Sequence, residues 1–408
     1  MNRFEIRNNK KIYIYGNGRM AQAFVLYLKQ RYPDYRSWIG GCVVTSIVGR
    51  IKSFEGMKVY SIDEVMNDDE EKYIYIAVRD KYYEEIKKQL ELFNFSCYER
   101  VDFELLKEEL EELWRKKVSE SKKFEERVDF SNIPFEEYIM FLALQTEDSV
   151  IDFEINIADN CNLNCQSCNH FSPIATCHYI DKEKMRDDLK RMNELFGEEI
   201  RNVMLLGGEP LLHPSISELM YVARDSLPSA HLQLYTNGIK LPQMDEDFWV
   251  ACKENRIEIL ITKYPIKFDY SKCDEVAKAN DVQLGCNWES AERIKTTYKL
   301  PIRREQGDEK KKYTNFVLCD HANRCVVVRD GRIYTCPFAA YIDLLNKFFN
   351  TKYPELHKNS ISIYENDSNT IKEFLRKTNP LCSYCDVEAY QWNIPWRTSE
   401  KRIEEWVD

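Results

Sequence analysis

An α/β fold dominated by parallel sheet is predicted, and three observations predict it. Short runs of β-branched and aromatic residues alternate with amphipathic helical runs along most of the chain, and strands separated by helices pair in parallel. Polar and glycine-bearing turns follow strand after strand: Gly16-Asn17-Gly18, Gly207-Gly208-Glu209-Pro210 and Thr236-Asn237-Gly238. They fall at the carboxyl ends of strands, the edge on which α/β proteins carry their sites. The 408 residues also suffice for two to three domains at roughly 150 residues each.

In order, residues 11–15 (KIYIY) form a strand and 19–32 an apolar-periodic helix. Strands follow at 42–45 and 73–78, and a helix at 81–93. Gly16, Gly18 and Ala21 fit the G-x-G-x-x-G/A fingerprint, whose helix start can hold a phosphate. No acidic residue closes the second strand region at 42–46, so bound NAD is poorly supported. Residues 1–102 resemble the small Rossmann-like domains that precede sugar-modifying enzymes of bacterial polysaccharide pathways. The turn serves either a nucleotide or nucleotide-sugar site, or a packing or dimerisation domain that keeps it for geometry. Residues 103–149 read as a charged helical linker, with Leu106, Leu110, Leu113 and Trp114 at helical spacing on a solvated connecting helix.

From 150 to 314 the pattern is strand, loop, helix, repeated. Ile151, Phe153, Ile155 and Ile157 alternate with polar residues, and Met185, Leu189, Met192 and Phe196 share a helix face within 181–196. Strands are expected at 203–206, 231–235, 257–261 and 282–284, with Ser215 and Glu218 as a capping box and Ser271 as a further cap. Residues 292–314 are rich in Lys, Arg and Glu and read as a surface loop, a binding lid being the functional alternative. Residues 315–408 read as a small appended metal domain.

The charge balance, 58 Lys+Arg against 68 Asp+Glu for a net −10, argues against a general nucleic-acid binder and leaves room only for a local basic pocket. No apolar run reaches the ~18 residues of a membrane helix, and the opening MNRFEIRNNKKIYIYGNG has no secretory h-region, so a cytoplasmic protein is expected. In a reducing compartment clustered cysteines point to metal or catalysis rather than to disulfides. Of the 14, three lie between 161 and 168 and five between 319 and 385, while Cys42, Cys97, Cys177, Cys252, Cys273 and Cys286 are scattered.

Cys161, Cys165 and Cys168 stand as C-x3-C-x2-C just past a strand. Thiolates are the usual ligands of iron–sulfur clusters, whereas structural zinc wants four ligands. His170 lies two residues on, a short reach for a fourth ligand. This motif after a first barrel strand, with Gly-Gly-Glu-Pro after the second, resembles the radical S-adenosylmethionine (radical SAM) superfamily over about 150–290. The resemblance implies a partial (β/α)6 barrel in which Cys161, Cys165 and Cys168 bind a [4Fe-4S] cluster with one open iron for S-adenosylmethionine (SAM). It implies contacts to SAM from Gly207, Gly208, Glu209, Pro210, Asn237 and Lys263. The family commonly carries an aromatic residue before the third cysteine. Here that residue is Ser167, so the adenine is packed by another group, with Ser167 and Asn169 as backbone candidates.

Cys319, Cys325 and Cys336 are followed by Cys382 and Cys385. The eleven residues from Cys319 to Gly331 and the four from there to Cys336 resemble the opening of the SPASM and Twitch auxiliary-cluster domains. Asp330-Gly331 between strand-forming stretches reads as a hairpin. A second [4Fe-4S] cluster on Cys319, Cys336, Cys382 and Cys385 is implied, with Cys325 able to replace one of the last pair and a zinc site as the alternative. The functions weighed are three. The first is a radical SAM enzyme that dehydrogenates or epimerises a sugar, sugar nucleotide or polyol, served by a reductant such as flavodoxin or ferredoxin. The others are a peptide-modifying maturase and a non-catalytic iron–sulfur scaffold or electron carrier. Cys177 and Cys286 are candidate hydrogen donors for epimerisation.

Overall fold

Short runs of β-branched and aromatic residues become strands where helices cover them, and the two larger of the three sheets among the described residues follow that rule. The computed structural model describes residues 10–45, 53–146, 152–282, 284–286, 297–299, 302–303, 307–322 and 325–408. The chain divides into two units, 1–147 and 148–408.

The first unit orders β1 (Lys11–Tyr15), α1 (Arg19–Arg31), β2 (Ile39–Val44), β3 (Ser53–Phe54), β4 (Met57–Ser61), α2 (Ile62–Met66), β5 (Lys72–Ile76), α3 (Asp80–Leu92) and β6 (Tyr98–Arg100). Its sheet runs β3-β4-β2-β1-β5-β6, parallel apart from the β3–β4 pair. Gly16 has φ +125°, and a Cβ there would press on the Ala77 carbonyl, so the turn after β1 needs glycine for close passage beside β5. Three helices follow: α4 (Glu104–Lys117), α5 (Ser121–Arg127) and α6 (Phe135–Thr146). They correct the reading of a solvated linker. Leu106, Leu110 and Trp114 are fully buried, and Trp114 packs edge-on against Phe124, Phe130 and Phe141. The charges of α4 line its outer face, while the apolar stripe belongs to the unit's core.

The second unit begins β7 (Asp152–Ala158), α7 (Lys182–Phe196), β8 (Asn202–Gly207), α8 (Ile216–Ser226), β9 (His231–Thr236), α9 (Glu246–Glu254), β10 (Glu258–Ile261), α10 (Ser271–Ala279) and β11 (Leu284–Cys286). Then come β12 (Thr297–Lys299), α11 (Lys312–Leu318), β13 (Val327–Arg329), β14 (Arg332–Tyr334), α12 (Pro337–Phe349), β15 (Ser360–Ser362), α13 (Ser368–Leu375) and β16 (Gln391–Ile394). An eight-stranded sheet runs β11-β10-β9-β8-β7-β13-β14-β15, with its first six strands parallel. Asp330 and Gly331, at φ 52° and 72°, make the two-residue turn of the β13–β14 hairpin. The hairpin therefore does not stand apart with the appended segment, because β13 continues the main sheet beyond β7.

Phe153, Ile155 and Ile157 face α7–α10 together with Val203, Leu205, Leu232, Leu234, Ile259 and Ile261. Each such buried side chain contributes roughly 1.5–3 kcal/mol. The alternate positions Glu154, Asn156, Gln233, Tyr235 and Glu258 point to the opposite face, where they mix with Met204, Leu206 and Leu260. Two expected caps are replaced. Ser215 makes no side-chain cap bond to α8, and Asp269, not Ser271, accepts from the start of α10. No helix among the described residues is long and apolar enough to cross a membrane.

Candidate functional site

Because β7 to β10 are parallel, the segments that follow them meet at one edge, and this edge gathers the motifs. The β8 exit locks onto the β7 exit. Gly208 N donates to the Ala158 carbonyl at 2.6 Å and Glu209 N to the Asn160 carbonyl at 2.9 Å. A Cβ on Gly208 would overlap the Asn160 carbonyl, and Gly207 has φ +139°. The glycine pair is thus required by the approach of two backbones at the threshold of the cysteine loop.

Glu209 joins β8 to β9. Its buried carboxylate accepts from Leu211 N at 3.1 Å, Thr236 Oγ1 at 2.7 Å and Asn237 N at 2.9 Å. Burial pushes this carboxyl up, and those three donors pull it back toward ionisation. With the side chain so engaged, a ligand at this motif meets backbone groups. Pro210 is buried in the short helix that follows. Asn237 turns toward the cysteine loop, its Nδ2 donating to Asn162 Oδ1 at 2.7 Å and lying 4.0 Å from Cys161 Sγ. Lys263 is half-buried just past β10, on the same edge.

The cysteine loop holds three non-glycine residues in the left-handed region, Asn164, Ser167 and Phe171, each a local cost of order 1 kcal/mol. Such strain persists only where the surroundings fix it. Ser167 Oγ donates to the Glu405 carbonyl at 2.7 Å, and Phe171 is fully buried. Asn169 is half-buried between Cys168 and His170. Burial pushes Cys161 up, with Glu209 and the other two thiols adding to it. Burial would also raise Cys168, but hydrogen bonding to His170 holds it below the usual thiol range. His170, although buried, is held at about 9 by Cys168 and by Glu154, 3.5 Å away. His170 thus backs a thiol and a carboxylate. Tyr264, which sequence reasoning missed, is hydrogen-bonded to Cys165 and senses all three thiols. Its position past β10, on the carboxyl edge, was the available signal.

The second group of thiols surrounds one cavity, lined by Cys319, Cys336, Cys382 and Cys385 with Asn315, Phe338, Asn379 and Leu381. Asn315 Nδ2 donates to the carbonyls of Cys382 and Cys385 at 2.9 and 2.7 Å, and Asn379 Oδ1 accepts from Cys382 N at 3.2 Å. Burial pushes Cys382 up to about 12 and raises Cys336 and Cys385 further. Cys325 is absent from this lining and is sensed by Tyr235 and Tyr390. Cys177 is exposed, and the side chain of Cys286 lies outside the described residues.

Three thiols on one loop and four around one cavity suit iron–sulfur clusters in donor chemistry. Among the described residues no three His, Cys, Asp or Glu side chains converge on a single metal ion.

The first unit has a cleft of about 650 Å³, with Met20, Arg79, Asp80, Arg100, Asp102 and Glu136 in its wall. Gly16 and Gly18 are not part of its lining, and Ala21 is buried. Arg79 pairs with Glu136 and Glu137 at 3.1 and 2.6 Å, and Arg100 pairs with Asp80. Neutralised arginines among more numerous carboxylates do not suit a phosphate.

The profile of the Radical SAM superfamily matches residues 155–313. The GTP 3′,8-cyclase of Clostridium acetobutylicum is 35% identical over 101 residues, 24% of this chain and 30% of that protein. The GTP 3′,8-cyclase of Helicobacter pylori (strain HPAG1) is 26% identical over 141 residues, 34% of this chain and 40% of that protein. The chain therefore spans well under half the length of these relatives. Among solved structures, BtrN in complex with AdoMet and 2-DOIA aligns at 17% identity and a TM-score of 0.35, over 58% of this chain and 92% of that one. Native anSMEcpe with bound AdoMet aligns at 15% identity and a TM-score of 0.36, over 58% and 82%. The profile match falls on the segment whose strand ends bring C-x3-C-x2-C and Gly-Gly-Glu-Pro together, so residues 155–313 carry a radical SAM superfamily domain.

Proposed function

We propose that Cys161, Cys165 and Cys168 hold a [4Fe-4S] cluster whose open iron takes SAM, and that the protein abstracts hydrogen from a sugar, sugar nucleotide or polyol in a dehydrogenation or epimerisation. When bound and reduced, such a cluster with SAM supplies a 5′-deoxyadenosyl radical able to take hydrogen from carbon. The observation that carries the reading is the junction at the sheet edge, where the exits of β7, β8 and β9 are tied to one another and to the cysteine loop by Gly208, Glu209 and Asn237. The chain's own part is placement. Glu209 fixes the β8–β9 edge, Asn237 holds the loop through Asn162, and the backbone of Gly207–Pro210 with Lys263 would meet the methionyl end of SAM.

A hydroxyl-rich substrate is supported by the sheet face opposite the helices. Glu154, Gln233, Tyr235 and Glu258 offer hydrogen-bonding groups there, with Gln233 Nε2 on Glu258 at 2.7 Å. Cys319, Cys336, Cys382 and Cys385 would hold the second [4Fe-4S] cluster, a Twitch-like arrangement. Residues 150–314 would then be the partial barrel and 315–408 the auxiliary segment, with residues 1–102 a Rossmann-like packing unit. An electron donor such as flavodoxin or ferredoxin would reduce the first cluster.

The test is anaerobic reconstitution followed by dithionite and SAM, with 5′-deoxyadenosine as product. Polyols, nucleotide sugars and peptides are then compared for stimulation and for deuterium transfer. Stimulation by hydroxylated small molecules supports the reading. Stimulation by peptides alone replaces it with a maturase, and absence of 5′-deoxyadenosine under all conditions replaces it with a scaffold.

A further inference from the structure

Ser167 stands where an aromatic residue would flank the third cysteine, and the structure shows why none fits. Ser167 is 7% exposed and holds the Glu405 carbonyl, so the space beyond it belongs to the segment 395–407. That segment is strapped across the cysteine loop. Cys165 pairs with Thr398 in an antiparallel bridge, and Gln166 N donates to the Arg397 carbonyl at 3.0 Å. Ser399 N donates to the Asn164 carbonyl at 2.8 Å, and Trp406 Nε1 donates to the Cys168 carbonyl at 2.9 Å.

The strap carries a second indole to the same place. Trp396 meets Tyr264 edge-on, with ring centroids 5.9 Å apart at 66°, and Tyr264 is the phenol bonded to Cys165. Trp396 Nε1 is buried and has no acceptor among the described residues. A buried indole N–H ordinarily has a partner. Donor, aromatic face and thiol loop thus coincide on a segment more than two hundred residues away in sequence.

We propose that Trp396 and Tyr264 form the wall against which the adenine of SAM lies, with Trp396 Nε1 donating to a nitrogen or hydroxyl of the adenosine moiety. The strap thereby supplies the aromatic contact that Ser167 does not. This inference rests on the SAM site proposed above and adds to it two ligand-contacting residues and an obligatory segment.

The full chain is reconstituted, its iron is measured, and SAM is titrated while the electron paramagnetic resonance of the reduced cluster is followed. Trp396→Phe keeps a ring and loses the N–H, and should weaken SAM about fivefold. Trp396→Ala should weaken it about thirtyfold or more. The discriminating readout uses half-ligands. Trp396→Ala should weaken 5′-deoxyadenosine and leave methionine unchanged. Trp392→Phe, at a neighbouring side chain 55% exposed, should change neither. Unchanged SAM affinity in Trp396→Ala overturns the proposal, as does equal weakening of both half-ligands. If Trp396→Ala fails to retain iron, the same comparison on Trp396→Phe decides. A wild-type cluster that forms and ignores SAM overturns the underlying site and this proposal with it, whereas failure of the variants alone leaves that site standing.

Discussion

The two cysteine groups differ in how they are assembled. Cys161, Cys165 and Cys168 are contributed by one eight-residue stretch at a sheet edge and are half-buried. Cys319, Cys336, Cys382 and Cys385 come from separate elements and enclose a cavity walled by Phe338, Leu381 and Val387. Burial pushes thiols upward in both groups, Cys161 in the first and Cys336 and Cys382 in the second, but only in the first does a neighbour, His170, hold one thiol low. On the proposed assignment, three donors at an edge leave one iron open to a small molecule, while four donors around one cavity leave none. The comparison teaches that ligand count and access, rather than the presence of cysteine, separate a reacting centre from one that holds structure or passes electrons.

The largest effect expected breaks the first group. Cys165→Ala should abolish 5′-deoxyadenosine formation, a loss of more than about a thousandfold, and remove about four of roughly eight irons while the second centre's absorption remains. Breaking the second group should do the reverse. Cys382→Ser with Cys385→Ser should also cost about four irons but show chiefly in thermal melting, because cluster binding there is coupled to folding. Some SAM cleavage should survive. If instead the first replacement melts the protein and the second removes SAM cleavage alone, the roles are exchanged. A smaller effect is expected at Asn237→Ala, which deletes the donor to Asn162 and leaves that side of the loop unheld. SAM cleavage should fall about tenfold with iron content unchanged.

The same contrast explains what could be read from the sequence. The first group was legible because its motif is local: strand, loop and three thiols within one stretch, with Gly-Gly-Glu-Pro at the next strand end. The hairpin was legible from Asp330-Gly331, since positive φ at two successive positions selects few residues. The strap was not legible. Ser167 and Glu405 are 238 positions apart, and nothing in the composition around Trp396 or Trp406 distinguishes a strap from surface. The attachment of β13 to β7 was hidden for the same reason, because strand order depends on long-range pairing. The charge run of residues 104–127 misled because a dense polar face masks a narrow apolar stripe, and only packing reveals Trp114 as core.

Cys325 sharpens the comparison by its smallness. Five thiols lie in the segment 319–385, and counting alone cannot say which is spare. The cavity is lined by the other four, and on that ground they are proposed as the ligands. Cys325 N is tied to the His321 carbonyl at 3.1 Å, and the influence of its thiol falls on Tyr235 of β9 and on Tyr390. Cys325→Ser should therefore leave iron and sulfide at wild-type content and shift melting by no more than about 1 kcal/mol in stability, the ordinary range for a conservative replacement away from a buried cluster. Cys319→Ser, in the same stretch of chain, should lose about four irons. Equal iron loss from both would show that the cavity is completed differently when loaded, with Cys325 displacing Cys382 or Cys385. The four-thiol character of the second centre would survive that result, but its assignment to particular residues would not.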